Sequence, residues 1–150
     1  MKRLFGKVNY KYSRFICPCC GYPTLDSKGE YDICIMCNWE DDGQGDEDAD
    51  IVRGGPNGDY SLLQARINFV KYMCMYEPGS DMRIAGGDTP EELKIKKKLK
   101  EVYDVIEDYS KLECYKNLYK NILSLEEELN KLSRLKTEAF NVSVVETDTR

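Results

Sequence analysis

Histidine is absent from all 150 residues. That removes the imidazole on which most Ser and Cys nucleophiles depend, together with every His-containing metal site. No stretch approaches the roughly 18 consecutive apolar residues that a membrane span needs. The start, Met1-Lys2-Arg3-Leu4-Phe5-Gly6-Lys7, is basic but runs into Val8-Asn9-Tyr10-Lys11-Tyr12, without the apolar core of an export signal. A cytoplasmic protein is expected, where thiols stay reduced and clustered cysteines serve metals more often than disulfides. Between residues 91 and 138 there is neither Gly nor Pro, which favours uninterrupted helix there.

Cysteine is what the chain has in quantity. There are seven, and five of them are clustered. Cys17-Pro18-Cys19-Cys20-Gly21 is answered by Cys34-Ile35-Met36-Cys37, with thirteen residues between Cys20 and Cys34. Two Cys-x-x-Cys pairs at this separation form tight knuckles whose amides face the sulfurs, and a short connector brings the knuckles together. Cys17, Cys20, Cys34 and Cys37 are therefore the candidate ligands of a four-thiolate site. Gly21 and Asn38, each following a second ligand, suit the positive φ a knuckle asks of that position. Cys19 is the residue between ligands, its acidic surroundings arguing against an activated thiol. Tyr22-Pro23-Thr24-Leu25 and Tyr31-Asp32-Ile33 flank the turn-rich Asp26-Ser27-Lys28-Gly29, which predicts a β-hairpin joining the knuckles, a zinc ribbon.

Four thiolates suit Zn²⁺ or iron. The first knuckle is similar to that of rubredoxins, which carry electrons on one iron, but the connector is shorter and the second knuckle lacks their Pro and Gly, so zinc is the expected ion. A closed four-cysteine zinc site leaves no open position for substrate, and a non-enzymatic protein is expected.

Charge is divided along the chain. Residues 1–16 hold five bases and no acids, whereas residues 17–60 hold eleven acids and two bases. The basic, aromatic arm can fold back on the acidic region, with a strand through Val8, Tyr10 and Tyr12, or bind nucleic acid by stacking and phosphate contacts. After Cys37, the acids Glu40, Asp41, Asp42, Asp46, Glu47, Asp48 and Asp50 form a candidate surface for a basic protein partner. Asp46, Asp48 and Asp50 share the alternate spacing of a calcium loop, but the Gly and Glu that complete one are missing.

Several of these elements, taken in order, resemble the bacterial cysteine-rich family named after its CPCC motif. They are Cys17-Pro18-Cys19-Cys20-Gly21-Tyr22-Pro23-Thr24-Leu25, Ile33-Cys34-Ile35-Met36-Cys37, Trp39-Glu40-Asp41-Asp42-Gly43-Gln44, Gly54-Gly55-Pro56-Asn57 and Ser61-Leu62 with Ala65-Arg66-Ile67-Asn68-Phe69. The resemblance spans about residues 15–72. It implies a small bacterial cytoplasmic protein that binds zinc, has no catalytic activity, and acts as an accessory or immunity-type protein on a partner such as a toxin.

Ser61-Leu62-Leu63-Gln64 reads as a capping box opening a helix to about Met75, with Leu62, Ala65, Phe69, Tyr72 or Met73, and Tyr76 on the packed face and Cys74 in the core. Glu77–Thr89 reads as a linker, and Thr89-Pro90-Glu91-Glu92 starts a new helix. Ile95, Leu99, Val102, Ile106 and Tyr109 form one apolar series. Leu118, Ile122, Leu125, Leu129 and Leu132 form another, out of register with it. Either one helix bends between Tyr109 and Leu118 or, the preferred reading, two helices form an antiparallel hairpin with Cys114 in its packing, closed on itself or on a second chain; Ser124-Leu125-Glu126-Glu127 resembles a capping box that would place the break later. Lys94, Lys96, Lys97, Lys98 and Lys100 read as a solvated face. Asn141–Val145 reads as a terminal strand, with residues 146–150 frayed beyond it.

The expected class is small α+β: residues 1–76 a zinc-ribbon domain with a packed helix, 77–89 a linker, and 90–150 a helical hairpin able to pair two copies. The expected function is protein binding in an immunity or defence setting, without a membrane. A nucleic-acid-binding zinc-ribbon regulator and an iron–tetrathiolate electron carrier are the alternatives.

Overall fold

A computed structural model of the chain describes residues 14–106 and 115–148. The strand expected through Val8, Tyr10 and Tyr12, most of the basic arm, Tyr109 and Cys114 lie outside the described residues. Two short antiparallel strands, β1 (Phe15–Ile16) and β2 (Pro23–Leu25), lead into and out of the first knuckle. The second knuckle is closed by a single bridge between Ile33 and Glu40. The class is small α+β with a β-hairpin, but the strands embrace a knuckle and do not run along the connector between knuckles. The reason lies in the connector: the Asp32 carboxylate accepts from the amides of Asp26 (3.0 Å) and Ser27 (2.7 Å), curling the chain where a strand pair was expected.

Helix α1 (Leu62–Tyr72) begins at Ser61, whose hydroxyl accepts from the Gln64 amide at 3.1 Å. The reciprocal arm of the capping box is not made, because the Gln64 side chain reaches forward to Asn68 at 3.0 Å. The helix stops at Tyr72, three residues before Met75, and is capped by Met73, which takes φ 57° and donates its amide to the Phe69 carbonyl. Asn68, buried, accounts for the sharp exit by donating to the Met75 carbonyl at 2.7 Å. Leu62, Ala65 and Phe69 face inward against Leu25, Met36, Trp39 and Met75. Leu62, Met36, Trp39 and Met75 are fully buried, each contributing on the order of 1.5–3 kcal/mol. Cys74 and Tyr76 are buried as expected.

Helix α2 (Pro90–Asp104) carries both arms of its capping box: the Glu92 amide donates to Thr89 Oγ1 (3.2 Å) and the Thr89 amide to Glu92 Oε2 (2.7 Å). Helix α3 (Lys116–Asp148) runs antiparallel to it, since Tyr103 meets Glu126 (2.7 Å) while Glu92 meets Lys136 (2.9 Å). The two predicted series form the seam, with Ile95, Leu99 and Ile106 of one and Ile122, Leu125 and Leu129 of the other buried. Ser124 starts no new helix, and α3 passes through it.

Residues 141–145 are a correction: they are helical, not a strand. Their β-branched composition favours strand only where a sheet edge offers partners. Here the helix arrives with no Gly or Pro to stop it, and Ser143 and Thr147 turn their hydroxyls onto the carbonyls of Phe140 and Val144 one turn back. Residues 146–148 continue the helix that was expected to have frayed. At 33 residues against 15, α3 outruns α2 by roughly 27 Å.

Lys96 is a second correction. It lies inside the protein, 2% exposed, with Nζ 2.7 Å from Asp88 and 3.2 Å from the Asn38 side-chain oxygen. Residues 77–89 supply its partner and more: Arg83 pairs with Asp81 and Asp88 and donates to Asn38 at 3.0 Å.

Candidate metal centre

The first knuckle is made by the backbone of residues 17–22. The Gly21 amide donates to the Cys17 carbonyl and the Cys17 amide to the Tyr22 carbonyl, both at 2.9 Å. The second repeats the pattern, Asn38 to Cys34 at 2.8 Å and Cys34 to Trp39 at 2.9 Å. Gly21 at φ 78° and Asn38 at φ 67° occupy the equivalent left-handed positions, where glycine costs nothing and asparagine little.

The knuckles bring Sγ of Cys17, Cys20, Cys34 and Cys37 within 4.8 Å of one another. Cys17 lies 3.6 Å from Cys37, and Cys20 3.6 Å from Cys34. Ideal tetrahedral coordination at a Zn–S distance of about 2.3 Å sets sulfurs about 3.8 Å apart, so the donor set fits an ion of that kind. All four are free thiols, with no disulfide. Cys17, Cys34 and Cys37 are fully buried.

Two donors stand ready for negative sulfur. Thr24 Oγ1 lies 3.0 Å from Cys34 and the Trp39 amide donates to Cys37 at 3.4 Å. Burial opposes ionisation of Cys34, yet hydrogen bonds from Cys17, Cys20, Cys37 and Thr24 hold its pKa well below the usual thiol value. Burial pushes Cys20 and Cys37 well above it; Cys17 and Cys34 add to the effect at both, Cys19 and Cys20 add to it at Cys37, and Cys37 opposes it at Cys20. Four buried thiolates would repel one another, and a divalent cation is their natural counterweight. Cys19 is buried but outside the quartet.

The residues that follow each knuckle reach α2. Tyr22 stacks on Tyr103 with ring centroids 5.0 Å apart and donates its hydroxyl to Asp104 at 2.6 Å. Asn38 receives Lys96 and Arg83, as above. Burial, then Glu126, raise the Tyr103 pKa. Arg14 pairs with the same Glu126.

The seven acids after Cys37 do not form one surface. Asp41 is buried and accepts from Gly29 (2.7 Å) and Gly43 (3.2 Å). Asp42 caps the Gln44 amide at 3.0 Å, and Asp48 accepts from Gly45 and pairs with Arg53. Glu40 is held by its backbone, which exchanges two bonds with the buried Asn57 side chain. Asp46, Glu47 and Asp50 are the exposed members, and Asp46 pairs with Arg66 at 2.7 Å. Asp46, Asp48 and Asp50 do not appear together among the metal-ligating groups of the described residues. Gln44 ties the loop from inside, donating to the carbonyls of Asp48 and Ile51, both at 2.8 Å.

None of the described helices is long and apolar enough to cross a membrane. No curated protein and no solved structure matches this chain. Residues 15–84, from β1 to the loop that follows α1, match the family model described as cysteine-rich CPCC.

Proposed function

We propose that the four cysteines hold one structural zinc ion and that the protein is a non-enzymatic module that binds a protein partner in the bacterial cytoplasm. The observation that carries the metal reading is the donor set itself: four free thiols within 4.8 Å, three of them fully buried, and two hydrogen-bond donors aimed at sulfur. An all-thiolate set favours zinc over harder ions, and with every corner filled by protein it builds structure and leaves no place for substrate. Partner binding is supported by the acids left outward at Asp46, Glu47 and Asp50 and by the part of α3 that outruns α2. A defence or immunity setting, a toxin as partner and pairing of two copies through α3 belong to the same reading.

The test has two halves. Purified protein is expected to be colourless and to carry one zinc per chain by elemental analysis, while Cys34→Ser loses the metal and most of the cooperative melting transition. A red, iron-bearing protein, a metal-free one, or a Cys34→Ser variant that melts like wild type would overturn the metal reading. In the other half, tagged protein is expected to retain a defined protein from cell extract. A complex with nucleic acid alone, weakening steeply with salt, would replace it by the regulator reading.

A further inference from the structure

Residues 77–89, expected as a linker, are built into the protein. With the end of α1 and the start of α2 they wall an open cavity of about 430 Å³, a size at which small-molecule sites are found. Tyr72, Tyr76, Pro78 and Leu93 give it aromatic and apolar walls. Tyr76 is 8% exposed, and its ring meets Tyr60 edge-on with centroids 5.7 Å apart. Its hydroxyl nevertheless makes no hydrogen bond among the described residues and is not sealed inside the protein. A polar atom on so buried a residue ordinarily has a partner, and here it is left to a guest of the cavity.

Charge decides which guest. Arg83 lines the cavity, but its five N–H groups are all engaged: Nε by Asp81, Nη1 by Asn38 and Asp88, Nη2 by Asp81 and Cys74. No donor of Arg83 is left for an anion. Asp81 and Asp88 are balanced in turn by Arg83 and Lys96. That leaves Glu77, an exposed lining residue whose carboxylate receives only Gln64 among the described residues, at 3.5 Å. Lys71 and Lys94, next in sequence to Tyr72 and Leu93, do not line the cavity. The excess is one negative charge beside two tyrosines, whose rings attract cations. Burial, then Asp81, raise the Tyr76 pKa, so its hydroxyl stays neutral and able to accept. A metal ion does not fit, since among the described residues only the four cysteines form a group able to hold one. We infer that the cavity binds a singly charged organic cation, an alkylammonium or alkylguanidinium group, with Glu77 as counter-ion, the Tyr76 hydroxyl as acceptor and Tyr72 against the alkyl chain. A small amine and a Lys or Arg side chain offered by another protein share that chemistry. The inference does not depend on the protein-binding reading.

The experiment titrates the full chain as purified and follows its backbone amide NMR shifts. The probes are hexylamine, its neutral and anionic counterparts hexanol and hexanoate, and the blocked amino acids acetyl-lysine methylamide and acetyl-arginine methylamide. Hexylamine is expected to bind with a dissociation constant of about 1 mM or below, shifting the amides of Tyr76, Glu77 and Leu93, while hexanol binds several times more weakly and hexanoate not at all. Glu77→Gln, on an exposed side chain that the fold does not need, should weaken hexylamine about fivefold. Tyr76→Phe, which removes only the hydroxyl, should weaken it about threefold. Blocked amino acids that bind as tightly as hexylamine assign the cavity to a basic side chain of another protein, and weaker binding of them assigns it to a small amine; both uphold the inference. It is overturned if hexanol or hexanoate binds as tightly as hexylamine, if Glu77→Gln leaves the constant unchanged, if the shifts fall away from the cavity, or if none of the cations binds.

Discussion

Replacing Lys96 by Met should destabilise the protein by about 3 kcal/mol, although a Lys among four others on a helix looks like the safest position to change. Met keeps the apolar stem and removes the charge. What remains is Asp88, whose side chain is 6% exposed and sits 2.7 Å from both Lys96 and Arg83. Asp81, Asp88, Arg83 and Lys96 together balance, and without Lys96 one negative charge is left over. Removing one partner of a buried pair costs about 3–5 kcal/mol, and Arg83 keeps the loss near the lower end. For a chain of this size that is a fall in Tm of roughly 6–12 °C. Urea denaturation gives the free energy, with an unchanged slope showing that the native state is intact. Asp88→Asn, and the double variant with Lys96→Met, close a thermodynamic cycle expected to return a coupling of about 1–3 kcal/mol. A Lys96→Met variant within about 0.5 kcal/mol of wild type, the range of ordinary surface changes, would refute the buried placement of this side chain.

Other outcomes follow from the same geometry. Burial raises Asp88 and Asp81, but Lys96 and Arg83 at Asp88, and Arg83 alone at Asp81, overrule it and hold both below the usual carboxylate value. Their stabilising contribution is therefore complete above the unfolded pKa of about 3.9 and is lost as pH falls through the lower folded values; the urea-midpoint advantage of wild type over Asp88→Asn, a comparison in which the proton-sensitive metal site cancels, should stay level from pH 7 to about 4 and then shrink, and a decline beginning above pH 5 would contradict this. Gly21→Ala meets no atom within 4 Å yet must hold φ 78°, so it should cost about 1 kcal/mol of backbone strain, and a wild-type Tm would show the knuckle to be pliable. Val142→Ala, on an exposed turn of α3, should raise helicity and stability by up to about 0.6 kcal/mol; loss of stability would mean that the residue is packed. Metal chelation should lower Tm and leave the far-ultraviolet helix signal only partly reduced, because α2 and α3 share their own apolar seam.

The clustering of the four cysteines was legible because Cys-x-x-Cys spacing is a local constraint: the knuckle is decided within six residues. The helical seam was legible because period and caps repeat along one element. What escaped were side chains whose partners lie far along the chain. Lys96 resembles its lysine neighbours until Asn38 and Asp88, 58 and 8 residues away, are placed beside it. Asp41 and Asp42 looked like surface charge, yet the fold spends them on loop amides. The hydroxyl-backed helix at 143–147 defeated the strand reading because strand preference needs an edge that only tertiary structure can supply. A signal for Asn57, Gln44 and Asn68 did exist, since all three fall in the segments of the family resemblance, but their work of clamping backbone carbonyls leaves no periodicity to detect.

Asn38 joins two parts of the molecule that the chain order keeps apart. It follows the last cysteine of the quartet, and its side-chain oxygen receives Arg83 and Lys96, while the other knuckle grips the far end of α2 through Tyr22. Helix α2 is thus held like a bar in two brackets, each bracket one end of a cysteine loop. By reciprocity, any force or ligand that lifts α2 must loosen the sulfurs' hold on an ion, and the ion in turn must tighten the helix. The affinity for a metal held there would then be a remote gauge of whether α2 and α3 are engaged.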